Sequence, residues 1–224
     1  ALNLRDGGRA ASVCVGNLDD AYAATARGDG FAVVPLAEAT RGADLVLVLL
    51  PDEVIPECFV RDIAPRLQDG AAVVFASGYC LAYGLVAPPP RADVLLLAPR
   101  MGGEAIRQKW LDQLGFHAFL SVEQEASGKA WARLLGLADA VGALRAGSFE
   151  LSARAEANLD LFVEQTLGAA IGAALLSAFS VGTENGIPAE ALALEMYMSG
   201  EMETVWHGFR TEGFHQSASS HGPT

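Results

Sequence analysis

Asp160-Leu-Phe-Val-Glu164-Gln165 sets two carboxylates four residues apart inside an apolar stretch. At that spacing two side chains share one face of a helix. Carboxylates aimed at one spot among apolar neighbours must repel, share a proton or hold a cation. A hard divalent ion such as Mg²⁺ suits them, because it prefers oxygen ligands and is commonly held by one or two carboxylates. Alone, the spacing fits an amphipathic helix with two solvated acids better. Leu161, Phe162 and Val163 between the acids, and the apolar residues 166–175 beyond, leave little polar surface and shift the balance towards a bound cation.

Three further segments have the composition of ligand-approaching turns. Val13-Cys-Val-Gly16 runs into Asn17-Leu-Asp19-Asp20, Leu49-Leu-Pro51 into Asp52-Glu53, and Leu97-Ala-Pro99 into Arg100-Met-Gly102-Gly103. Each follows an apolar run, and open α/β sheets bind ligands beyond the carboxyl ends of their strands. Glycines there let a backbone come close to a cofactor, although ordinary turn chemistry uses the same residues.

The elements that must position these groups follow from periodicity. Short apolar runs at 12–15, 32–35, 45–50, 71–75, 94–98 and 118–122 alternate with helix-like segments at 20–27, 36–41, 54–66 and 104–114. Runs such as Leu45-Val-Leu-Val-Leu-Leu50 are apolar on both faces, as in a parallel sheet covered on each side. Strand–helix alternation predicts a Rossmann-like, doubly wound α/β domain over residues 1–123. Strand-like runs stop near Glu125. Helices are expected at 126–141, 151–183, 188–198 and 202–211, so residues 124–224 are expected to form an all-α domain, incomplete as it stands. No G-x-G-x-x-G motif is present; Gly7-Gly8 reads as a helix-ending turn. The chain opens at Ala1, already in a helix, so the first strand and glycine loop are expected upstream of it.

Composition narrows the partners. The 224 residues carry a net charge of −12, with a pI near 4.7, which argues against nucleic acid. The stretch nearest to a membrane span, 166–183, is rich in Gly and Ala and reads as a tightly packed bundle helix, so no membrane partner is expected. Three scattered cysteines, Cys14, Cys58 and Cys80, suggest buried thiols in a reducing cytoplasm.

Several stretches in order resemble the ketol-acid reductoisomerase family. They are Ala1-Leu-Asn-Leu-Arg-Asp6, Leu50-Pro-Asp-Glu-Val54, Ile63-Ala-Pro65, Ala98-Pro99, Glu125-Ala-Ser-Gly-Lys129, Arg145-Ala-Gly147 and Asp160 to Gln165. The resemblance implies a Rossmann domain followed by a knotted all-α domain, two Mg²⁺ ions and NADH or NADPH. The implied reaction is alkyl migration in a 2-hydroxy-3-oxo acid such as 2-acetolactate or 2-aceto-2-hydroxybutanoate, followed by reduction, in branched-chain amino-acid synthesis. It implies Asp160, as the bridging ligand, Glu164 and Glu195 at the metals, and Ser219 at the substrate. It also implies cofactor contacts from Asn17, Asp19, Asp20, Asp52, Glu53, Val54 and Gly103, and a homodimer or higher oligomer through the helical domain.

The chain departs from the family pattern in three places. Ser77 stands where the family carries histidine, Arg100 where it carries lysine, and Ser199 where it carries a second late glutamate. Ser77 and Arg100 still occupy the catalytic positions, but serine does not titrate near neutral pH and arginine does not readily lose a proton. A 2-keto acid reductase without the isomerase step, or a non-catalytic homologue, therefore stays open. Asp19 and Asp20, where NADP-users carry basic or hydroxyl residues, favour NADH.

Overall fold

Apolar runs in the first half become strands, and the segments between them become helices on the faces of the sheet. The computed structural model describes residues 1–220. Helix α1 (Leu2–Asp6) leads to β1 (Cys14–Gly16), α2 (Ala21–Gly28), β2 (Ala32–Val34), α3 (Leu36–Thr40) and β3 (Leu45–Val48). The next helical run starts as α4 (Ile55–Cys58), widens into a π-helical turn over Phe59–Ile63 and tightens to a 3-10 turn over Ala64–Arg66. Then come β4 (Ala72–Phe75), α5 (Tyr79–Ala82), β5 (Asp93–Pro99), α6 (Gly103–Leu111), β6 (Ala118–Gln124), α7 (Ala130–Val141), α8 (Ala143–Ala146) and β7 (Ser148–Glu150). The rest is helical: α9 (Ala153–Val163), a π turn over Glu164–Gly168, α10 (Ala169–Glu184), α11 (Ala189–Ala193), a π turn over Leu194–Met198, α12 (Glu201–Glu212) and α13 (Phe214–Ser220).

All six expected strands are present, and the sheet is mostly parallel. It is divided into a β1–β2 pair and a five-stranded sheet in the order β3-β4-β5-β6-β7. Two features correct the sequence reading. Strand β7, which lies beyond the point where strands were expected to stop, pairs in parallel with β6. Strand β6 runs antiparallel to β5. The connecting helix α6 fully buries none of its residues, although Ile106 packs against the core that holds Leu95 and Leu97, and Gln113 (φ 61) and Gly115 (φ 71) turn the chain back after it.

Period-2 alternation gives the central strands two buried faces. Val73, Phe75, Val94 and Leu96 pack with Ile55, Phe59 and Ile63 on one side. Val74, Leu95 and Leu97 pack with Phe116, Leu134, Leu137 and Ala138 on the other. Asp93, at the start of β5, is fully buried and takes N–H bonds from Ala126 and Ser127 at 2.8 and 2.9 Å and an Arg133 contact at 2.9 Å. It ties β5 to the entrance of α7.

The chain forms two compact units, Ala1–Asp160 and Leu161–Thr224. The compositional change near residue 123 falls inside the first, because α7 packs on β5 and β6 and β7 extends the sheet. Every element among the described residues of the second unit is a helix or helical turn. The helix spanning Ala153–Glu184 is long and apolar enough by length and composition to cross a membrane: its most apolar window has mean hydropathy 1.5, and 6% of that window is buried. The expectation of a tightly packed bundle helix is thus not met within this chain. Leu167, Leu175, Leu176 and Val181 are exposed, and packing is close where Gly182 meets Leu192: a Cβ at 182 would lie 2.7 Å from its methyl carbon.

Candidate functional site

Strand β5 ends at Pro99 and delivers Arg100 at the carboxyl edge of the sheet. The Arg100 backbone N–H donates to His117 O at 3.0 Å, and its guanidinium lies 4.9 Å from the centre of the Phe119 ring. Its two terminal nitrogens reach different acids. Nη1 donates to Asp160 Oδ1 at 3.0 Å, and Nη2 donates to Glu156 Oε1 at 2.7 Å. Among the described residues, buried Arg100 Nε has no hydrogen-bond partner.

Glu156 links this arginine to the end of β4. Its side chain is 1% exposed, and Oε2 accepts the Gly78 N–H at 2.7 Å. Burial pushes its carboxyl pKa up and Asp160 adds to this, while the Gly78 N–H and Arg100 oppose it. Gly78 is required by space. A Cβ there would stand 2.2 Å from Ala153 O and 2.8 Å from Glu156 Oε2. The first turn of α9 therefore presses directly onto the β4–α5 turn. Glu156 was not anticipated as a site residue. Its signal was present all the same: an acid one helical turn before Asp160 extends the Asp160–Glu164 ladder backwards.

Beside this cluster, Ser77 Oγ donates to Asp52 Oδ2 at 3.4 Å and accepts the Tyr79 N–H at 3.2 Å. Cys80 Sγ contacts Asp52 O at 3.5 Å. Burial, with the Asp52 charge and hydrogen bond, pushes the Cys80 thiol up to about 11, so it stays protonated near neutral pH. A cavity of about 330 Å³ opens at the ends of β3 and β4, lined by Val48 to Asp52, Ile55, Phe75, Ala76 and Ser77. Glu53 and Val54 are exposed on the turn that follows Pro51, closed by a Val54 N–H to Pro51 O bond of 2.9 Å. Gly103 is exposed at the first turn of α6 with nothing near a built Cβ.

The β1–α2 turn separates the residues expected at the cofactor. Asp20 caps α2: its Oδ1 accepts the Ala23 N–H at 2.8 Å and the Asn17 Nδ2–H at 3.1 Å. Asn17 Oδ1 accepts the Leu18 N–H at 2.9 Å. Asp19 is the carboxylate left facing solvent, 86% exposed and 2.7 Å from Arg27. An exposed acid at the end of a strand fits a ribose hydroxyl, and the cavity at the ends of β3 and β4 lies where open α/β sheets hold their ligands.

Arg100 and Asp160 stand together, and Ser77 lies with Asp52. Glu164 and Glu195 are exposed and belong to the second unit, each within a π-helical turn. Such turns are common at functional sites. Ser219 is exposed on α13 and donates to Gln216 O at 2.8 Å; its neighbour Ser217 is buried against Gly208. Among the described residues no three His, Cys, Asp or Glu side chains gather as a metal cage. Asp160 and Glu164 each offer carboxylate oxygens, a donor type that fits Mg²⁺.

Comparisons with known proteins agree with this architecture. Residues 1–147 match the family model described as "Acetohydroxy acid isomeroreductase, NADPH-binding domain". The chain is 41% identical over 167 residues to the ketol-acid reductoisomerase (NADP(+)) of Caldivirga maquilingensis, covering 75% of this chain and 50% of that protein. It is 36% identical over 209 residues to the enzyme of the same name from Pyrobaculum neutrophilum, covering 92% of this chain and 64% of that protein. It therefore spans half to somewhat under two thirds of these relatives. An NADH-preferring ketol-acid reductoisomerase from an uncultured archean superposes with a TM-score of 0.89 at 30% identity, covering 97% of this chain and 67% of that one. A Cupriavidus necator semialdehyde dehydrogenase NAD-binding protein, 17% identical with a TM-score of 0.71, shares the fold. On the family match and these relatives together, the chain belongs to the acetohydroxy acid isomeroreductase family, the ketol-acid reductoisomerases.

Proposed function

We propose that the protein to which this chain belongs is an NAD(P)H-dependent ketol-acid reductoisomerase, acting on 2-acetolactate or 2-aceto-2-hydroxybutanoate. The observation that carries this is the Glu156–Arg100–Asp160 cluster at the carboxyl end of β5, beside the cavity of β3 and β4. Asp160, Glu164 and Glu195 are the proposed carboxylate ligands of divalent metal, and Ser219 the proposed substrate contact. Divalent metal, when bound, polarises a carbonyl and makes a neighbouring hydroxyl more acidic. Reduced nicotinamide, when bound, is the source of hydride. Arg100 fixes the direction of Asp160 and holds Glu156 in place. Asp52 orients the Ser77 hydroxyl towards the strand ends. Ser77 offers a hydrogen-bond donor where a histidine would offer a titrating group, so proton transfer falls to other groups.

Asp19 supports a preference for NADH, because its exposed carboxylate suits a 2′-hydroxyl and repels a 2′-phosphate. An NADPH preference of about tenfold or more in kcat/KM would count against this. Exposed Phe162, Leu167, Leu176 and Val181 support a homo-oligomer through the helical unit. The net charge of −12 speaks against a nucleic-acid partner, and a cytoplasmic protein without a membrane partner belongs to the same proposal.

The test follows NAD(P)H oxidation by the full-length protein with 2-acetolactate, with and without Mg²⁺. Mg²⁺-dependent turnover is the expected result. Ser77 and Arg100 favour a second reading, a plain reductase. That reading predicts no turnover of 2-acetolactate but reduction of 3-hydroxy-3-methyl-2-oxobutanoate. Failure to bind either nucleotide points instead to a non-catalytic homologue.

A further inference from the structure

The Arg100 guanidinium joins two acids from the same helix and is held at both terminal nitrogens and on one face. Phe119 supports its face, Glu156 takes Nη2 at 2.7 Å and Asp160 takes Nη1 at 3.0 Å. The second Glu156 oxygen is held by the Gly78 N–H at 2.7 Å, so both oxygens of that acid are engaged within the protein. Asp160 has one oxygen on the arginine, and its side chain remains 48% exposed. Its carboxylate therefore faces a fixed cation on one side and solvent on the other. A guanidinium keeps its charge at every accessible pH, and its planar fork binds two acceptors at once, which an ammonium does less well.

We infer that Arg100 is a tethered cation that competes with divalent metal for Asp160 and weakens metal binding there, acting as a positioning residue that sets metal affinity. This rests on the reading of Asp160 as a metal ligand. A divalent ion drawn to Asp160 must either approach beside a fixed positive charge or displace Nη1. Displacement is hindered, because Nη2 stays anchored by a buried acid whose other oxygen is already bonded. Both routes lower affinity relative to a site whose cation is a flexible lysine.

The experiment measures Mn²⁺ binding to the full-length protein by electron paramagnetic resonance, for wild type, Arg100→Lys and Arg100→Gln, with NADH affinity as the check on folding. The expected result is tighter Mn²⁺ binding in the variants, by about tenfold or more in Arg100→Gln and less in Arg100→Lys, at unchanged NADH affinity. Asp160→Asn in the Arg100→Gln background should abolish the gain. Equal Mn²⁺ affinity in wild type and a variant that retains NADH binding overturns the inference and leaves Asp160 as a ligand. Should a variant lose NADH binding, the other variant decides. No Mn²⁺ binding in any of the proteins overturns the metal reading itself, and the inference with it.

Discussion

Gly78 carries a demand that its sequence context hides. It follows β4, and its N–H meets a buried carboxylate while its Cα faces the carbonyl of Ala153. Gly78→Ala places a methyl where the Ala153 backbone already stands, and the other neighbour, Glu156 Oε2, is buried and held by its hydrogen bond. The expected outcome is a loss of about 2 kcal/mol or more in denaturant unfolding. Asp93 makes a second residue-level prediction. Burial pushes its carboxyl up, but bonds from Ser127, Ala126 and Arg133 outweigh burial and hold it below the ordinary 3.8. A carboxyl depressed in the folded state adds stability above its ordinary pKa, and this is lost as pH falls through the folded value. Asp93→Asn should therefore cost about 2 kcal/mol at neutral pH. It should also flatten the fall in stability below about pH 4, as read by urea unfolding at successive pH values.

At the scale of elements, the β1–α2 turn separates a capping acid from a solvent-facing one. Asp20 is the N-cap of α2, so Asp20→Ala should lower stability by about 1 kcal/mol. Asp19 makes one exposed contact, with Arg27, and exposed pairs contribute little. Asp19→Ser should leave the unfolding midpoint nearly unchanged. It should move nucleotide preference towards NADPH by about tenfold in the ratio of dissociation constants, since it removes a carboxylate and releases an arginine. An unchanged ratio would mean that the 2′ group is recognised elsewhere. The sequence marked both acids as one feature, and only the hydrogen bonds of the turn tell them apart.

For the whole molecule, the exposed apolar face of the Ala153–Glu184 helix is the strongest prediction. Leu176 is 74% exposed and Phe162 65%, and apolar side chains left in water along one helix mark an association surface. Light scattering of the full-length protein should give a dimer or higher species. Leu176→Lys should weaken that assembly, shifting the dissociation midpoint to about tenfold higher concentration or more. A monodisperse monomer across the micromolar range would exclude association through this face.

The sequence by itself determined the six strands, the covered sheet and the family. These follow from local apolar periodicity and short contiguous motifs, which a chain carries along its own length. It also marked Asp160, because one helical turn fixes what lies four residues on. Only tertiary structure decided that Glu156 joins Arg100, since the two stand 56 positions apart in the chain. The reversal of β6 and the capture of β7 were likewise decided by pairing between strands and not by the composition of either. The apolar residues of 166–183 announced burial, but nothing in their periodicity says against what. Within this chain they stay exposed, because hydropathy encodes the preference to be covered and leaves the covering partner unspecified.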